Sequence, residues 1–166
     1  LDLGCTTFAD LARCCHAFSI GGTKNGALFG EALVITEPAL QPDFRYILKQ
    51  HGGLLAKGWL LGIQFEQLLQ NDAALYLQLA GHANELAARL RQGIAALGYE
   101  FASDSPSNQI FPILPDEILA QMEGDFHWEV MAPSENGRTQ IRLVTSWATR
   151  EEAAEAFLDR LGQLSR

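Results

Sequence analysis

The sequence predicts an α/β fold, and three observations carry that reading. The segment Gly21-Gly22-Thr23-Lys24-Asn25-Gly26 sits between two short apolar stretches of strand length. Further on, Leu75, Leu79, His82, Leu86, Leu90, Ile94 and Leu97 recur at three- and four-residue spacing, the stripe of a long helix. Asn136-Gly137, a strong hairpin signal, then stands between two alternating stretches ahead of a closing helix.

In chain order, Thr6 or Thr7 suits the cap of a helix over residues 5 to 15, with Phe8, Leu11, Ala12 and Cys15 as its apolar stripe. Residues 16 to 20 read as a strand, and residues 27 to 36 as a second, buried one. Pro42 fits the first turn of a helix that Gly52-Gly53 stops. Residues 54 to 70 are apolar almost all round a helix, which predicts burial on more than one side. Asp72 reads as the cap of the helix to residue 97, on which Glu85 and Arg89 form an i,i+4 pair. Residues 99 to 102 and 108 to 114 are strand candidates, and Pro115 opens a short helix. Phe126, Trp128 and Val130 alternate, and residues 139 to 147 form the return strand. On it Ile141, Leu143 and Thr145 share one face, and Arg142, Val144 and Ser146 the other. Thr149 to Glu152 reads as a capping box for the last helix. Residues 1–37 then look like the end of a large domain, because so few elements complete no sheet. Residues 38–71 form a helical bridge, and residues 72–166 a small α+β domain.

Composition narrows the function. With 12 basic and 20 acidic residues in 166, the net charge is −8, which argues against a nucleic-acid partner. Only 19% of residues are charged, below the usual figure of about 25%, so some surface is expected to be covered, as in a homodimer or homotetramer. No apolar run reaches the length of a membrane helix. Three cysteines, Cys5, Cys14 and Cys15, make no disulfide framework and suit reduced thiols in the cytoplasm. His16, His51, His82 and His127 lack metal-ligand spacing, so no metal site is expected.

Two residues stand out. Lys24 in its glycine-rich segment fits either a structural turn or a reactive amine that forms a Schiff base with an aldehyde. A phosphate loop of the Walker type fits poorly, because Asn25 stands where that motif has Ser or Thr after the lysine. Arg142 lies among apolar neighbours and needs a partner. A structural salt bridge and bidentate capture of a substrate carboxylate both answer that need.

The stretch from His16 to Ala32, with Lys24 inside it, resembles the cofactor-lysine segment of the low-specificity L-threonine aldolases, in the aromatic amino acid β-eliminating lyase family. Residues 49–58, 108–112 and 141–147 resemble the same family in the same order. The resemblance implies an aminotransferase-like enzyme of pyridoxal-phosphate fold type I. It implies that Lys24 carries pyridoxal 5'-phosphate as a Schiff base. It also implies that Thr23 and Ser19 touch the cofactor phosphate, that Lys57 serves a neighbouring subunit's cofactor, and that Arg142 holds the substrate carboxylate. The reaction implied is cleavage of a β-hydroxy amino acid to glycine and an aldehyde. Another lyase of the tyrosine or tryptophan type, and a non-catalytic interaction module, are the alternatives. The cofactor-stacking and pyridine-pairing groups of the family precede the lysine and are not recognisable in the 23 residues before Lys24. The chain is therefore expected to be the C-terminal part of such an enzyme, inactive in isolation.

Overall fold

Buried apolar side chains sort into two clusters. In this computed structural model, which describes residues 6–133 and 136–165, the chain divides into two compact units, Leu1–Leu79 and Ala80–Arg166. Cys5 and Glu135 lie outside the described residues.

The first unit begins with α1 (Phe8–Cys14), capped by Thr7. The Thr7 hydroxyl accepts from the Asp10 N–H at 3.1 Å, and the Asp10 carboxylate accepts from the Thr7 N–H at 2.8 Å. The Thr7 hydroxyl, donating to the same carboxylate at 2.6 Å, and then the Thr7 N–H hold the Asp10 carboxyl below its ordinary range. Strands β1 (Ala17–Gly21) and β2 (Glu31–Ile35) pair antiparallel, with Ala17 opposite Ile35 and Gly21 opposite Glu31. The strand expected over residues 27 to 36 is thus shorter, and it is not buried: Leu33 is 52% exposed. Positive φ at Gly26 (105°) and Gly30 (91°) redirects the chain before β2. The Leu28 N–H there donates to Gln64 Oε1 at 2.8 Å, off the sheet.

After a 3₁₀ turn at Pro38–Leu40 comes α2 (Phe44–Gln50), which ends before Gly52 at φ 76°. The helix expected from residue 54 starts later: α3 spans Trp59–Ala96 and is broken at Gln70, Asn71, Asp72 and Ala73. Asp72, expected as an N-cap, has φ 58° and ψ 35° inside that break. Phe65 and Leu68 before the break, Ala73 within it and Tyr76 after it pack with Ile20 and Ala27. Trp59 (63% exposed) and Ile63 (50%) face away, so the burial expected all round this helix is not met within the chain.

The second unit is built on an antiparallel sheet of β3 (Glu100–Phe101), β4 (Gln109–Ile110), β5 (Pro112–Pro115), β6 (Glu129–Pro133) and β7 (Arg138–Val144). Strand β7 pairs with β4, β5 and β6, while β3 pairs with β5. The single strand expected over residues 108 to 114 is two, and both bond to β7. Asn136 and Gly137 both take positive φ, 69° and 71°, between β6 and β7. Ile110, Leu114, Ile141 and Leu143 form the inner face of the sheet. The later part of α3, the helix α4 (Asp116–Met122) and the helix α5 (Glu151–Leu164) cover it through Leu86, Ile94, Met122, Phe157 and Leu161.

Two local expectations fail here for polar reasons. The Thr149 hydroxyl accepts from the Ser146 N–H at 2.9 Å, so it makes no capping box, and Arg150 stands at the cap of α5. Arg89 reaches across to Glu151 (3.1 Å) and Glu155 (3.6 Å) on α5, not to Glu85. Thr145, the one buried polar residue of either cluster region among the described residues, donates to the Ala83 carbonyl at 2.6 Å. The His82 ring nitrogen Nε2 lies 2.8 Å from the Thr149 carbonyl oxygen.

Leu161 is fully buried and Val130 is 61% exposed. Truncating a buried leucine leaves a cavity, so Leu161→Ala is expected to cost about 2–5 kcal/mol in urea unfolding. Val130→Ala is expected to stay within about 0.5 kcal/mol.

Candidate functional site

The alternation of β1 sets the first part of the site. Ile20 is buried in the core of the first unit, so its neighbour Ser19 lies on the opposite, exposed face. The strand ends at Gly21, whose carbonyl accepts from the Tyr76 hydroxyl at 2.8 Å. The Gly22 carbonyl then accepts two backbone N–H groups, from Asn25 at 2.9 Å and Ala27 at 3.0 Å. These bonds close a tight turn with Thr23 and Lys24 at its exposed tip.

Glycine is required at both ends of that turn. A Cβ at Gly22 would lie 2.6 Å from the Ala27 Cβ and 2.9 Å from the Phe65 ring. Gly26 combines φ 105° with a Cβ position 2.6 Å from Leu79 Cδ1. The loop therefore packs on the core through its glycines while its lysine stays clear of it. Among the described residues, no carboxylate pairs with Lys24, and the Ser19 and Thr23 hydroxyls have no hydrogen-bond partner.

Ser19, Thr23 and Lys24 thus share one strand and its turn. Lys57 lies on a different loop of the same unit, exposed, just before α3, with its carbonyl accepting from the Leu60 N–H at 3.0 Å. Arg142 belongs to the second unit, on β7, between the buried Ile141 and Leu143. Its Nη2 makes an ion pair with Glu129, and its Nη1 donates to Gln109 Oε1 at 3.3 Å. Its Nε is buried and has no acceptor among the described residues. The salt-bridge reading of Arg142 is therefore realised, yet the guanidinium keeps unused donors. Glu129 and Gln109 were not singled out from sequence. The sign that points to them is the placement of polar residues on strands either side of a half-buried arginine.

The donor set around Lys24 suits an aldehyde that carries a phosphate. A free primary amine stands on a fixed turn, and two free hydroxyls, those of Ser19 and Thr23, precede it in sequence. That is the combination a pyridoxal phosphate group uses. Among the described residues no helix is long and apolar enough to cross a membrane.

The structure of Leishmania major threonine aldolase superposes with a TM-score of 0.93 at 45% identity, over 97% of this chain and 46% of that one. Sphingomonas wittichii serine palmitoyltransferase, at 16% identity and TM-score 0.64 over 93% of this chain and 41% of its own, shares the fold. The fold is the α/β fold of pyridoxal-phosphate fold type I enzymes. Two curated proteins also match, both low specificity L-threonine aldolases. One, from a Pseudomonas species, is 32% identical over 79% of this chain and 37% of its own length. The other, from Pseudomonas aeruginosa, is 35% identical over 61% of this chain and 27% of its own. No protein-family model matches the chain. The chain belongs to the low specificity L-threonine aldolase family, and it spans well under half the length of the curated relatives it matches.

Gly22→Ala must push Ala27 or Phe65 aside, and neither is a flexible chain end. The expected cost is about 1–3 kcal/mol, the usual range for overpacking. Thermal unfolding of the first unit, followed by the amide signals of β1 and β2, measures it.

Proposed function

We propose that the protein carrying this chain cleaves threonine-type β-hydroxy amino acids to glycine and an aldehyde, with pyridoxal 5'-phosphate as cofactor. The observation that supports this most is the free amine of Lys24 on its hydrogen-bonded glycine turn. The turn stands in a chain 45% identical to a threonine aldolase.

Pyridoxal phosphate, when bound, supplies the electron sink for breaking the Cα–Cβ bond. Lys24 would hold that group through its primary amine. The turn fixes where that amine stands, which is an orientation effect and needs no further bond. Ser19 and Thr23 offer hydroxyl donors to the phosphate, and Lys57 offers a charge, in this reading to a neighbouring subunit's cofactor. Arg142 offers its planar fork to the substrate carboxylate.

The same reading assigns residues 1–37 to the end of the cofactor-binding large domain, 38–71 to a helical bridge and 72–166 to the small domain. It makes the chain the C-terminal part of the enzyme, without turnover on its own. It pairs the protein into homodimers or homotetramers through exposed apolar residues such as Leu55, Trp59 and Ile63. The free thiols among the described residues, Cys14 and Cys15, suit a reducing cytoplasm.

The chain has three lysines, Lys24, Lys49 and Lys57, which makes the labelling test selective. After incubation with pyridoxal phosphate and borohydride reduction, peptide mapping is expected to find the phosphopyridoxyl group on Lys24. Lys24→Ala is expected to remove it. Equal labelling of all three lysines would overturn the assignment. In the whole protein, L-threonine is expected to yield glycine, and Lys24→Ala to lower that rate by at least about 10²-fold, as loss of a covalent catalyst does. A 2-oxo acid in place of glycine would favour the eliminating lyases.

A further inference from the structure

We infer that Glu129 is an internal stand-in for the carboxylate that Arg142 holds, and that a ligand carboxylate reaches Arg142 by displacing it. The inference rests on the reading of Arg142 as a carboxylate clamp.

Register makes the two residues partners. Glu129 on β6 lies directly opposite Arg142 on β7, so both side chains stand on the same face of the sheet. The guanidinium offers its donors unequally. Nε is buried, while Nη2 donates to Glu129 and Nη1 to Gln109 at 3.3 Å. The buried Nε leaves the two Nη groups as the accessible edge for a ligand. That edge is where the Glu129 carboxylate sits. A carboxylate from outside has the same charge and the same pair of acceptor oxygens, and it meets the same donors.

The two partners are held very differently. The Arg142 side chain is 28% exposed and stands between the buried Ile141 and Leu143. The Glu129 side chain is 65% exposed. It belongs to β6, which among the described residues pairs with β7 alone and carries an irregularity between Val130 and Ala132. The arginine therefore stays and the glutamate moves. An ion pair with so exposed a partner is weak, so a ligand loses only part of its affinity in displacing it. With the ligand gone, Glu129 keeps a half-buried guanidinium from standing with one neutral acceptor, a costly state.

The test follows the Nε–Hε and backbone amide signals of Arg142 in ¹⁵N spectra while L-threonine is added. L-threonine methyl ester, which lacks the carboxylate, is the control probe. Glu129→Gln is expected to bind L-threonine about 2- to 5-fold more tightly than the unsubstituted chain. Glu129→Ala is expected to move the same way. Arg142→Gln is expected to lose the response, and the ester to give none. Unchanged amide positions at Ile141 and Leu143 check that the variants are folded. Equal affinity with and without Glu129, with binding lost in Arg142→Gln, overturns the stand-in and leaves the clamp. Weaker binding in Glu129→Gln also overturns it, because Glu129 would then organise the clamp. No response at Arg142 in any of these proteins overturns clamp and stand-in together.

Discussion

The approach of Gly22 to Ala27 and Phe65 constrains the whole Lys24 loop. Because no Cβ intervenes, the Gly22 carbonyl can accept from both Asn25 and Ala27, and the turn closes onto the core. The chain leaves β1 at Gly21, tied to Tyr76, and returns to the core at the buried Ala27. Between those anchors Thr23 and Lys24 have nowhere to go but outward. The reactivity proposed for Lys24 thus depends on a packing contact that the lysine itself does not make.

The two units differ in how much of their stability they can find within this chain. The core of the second joins a sheet to three helical segments, and it includes Ile94, Leu114, Ile141 and Leu161 with no measurable exposure. The first has a smaller cluster, and large apolar side chains around it stay in water, with Leu28 76% exposed and Leu55 56%. Isolated exposed apolar residues need no explanation, but a concentration of them in one unit marks a surface that association would cover.

Much of the fold was readable because local chemistry and global packing agree. Thr7, Gly52, Gly98 and Asn136-Gly137 each mark an element end that the structure has. The stripe on the later part of α3 buries Leu86, Leu90 and Ile94, as its spacing requires. What could not be read was set by contacts remote in sequence. Thr149 has a capping-box neighbourhood, yet Ser146 takes its hydroxyl. Arg89 has Glu85 one turn away, yet α5 brings two carboxylates to it. At the candidate site, the Lys24 segment was visible because its glycines are adjacent in sequence. The partner of Arg142 was not. A two-residue turn at Asn136-Gly137 would set Met131 opposite Arg142, whereas the irregular hairpin sets Glu129 there.

The break in α3 has a consequence for the dynamics of the first unit. Gln70 is extended and Asn71, Asp72 and Ala73 are left-handed, with no glycine or proline to ease the path. Ala73 is nonetheless buried, so packing holds a backbone that local preference opposes. An interruption of this kind creates a second pair of helix ends, each with amide or carbonyl groups that the ladder no longer satisfies. Helices open from their ends, so this one has a site of local opening in its interior as well as at Trp59 and Ala96. Exchange of its amides with solvent is therefore expected around Gln70 to Ala73 as well as at its two ends.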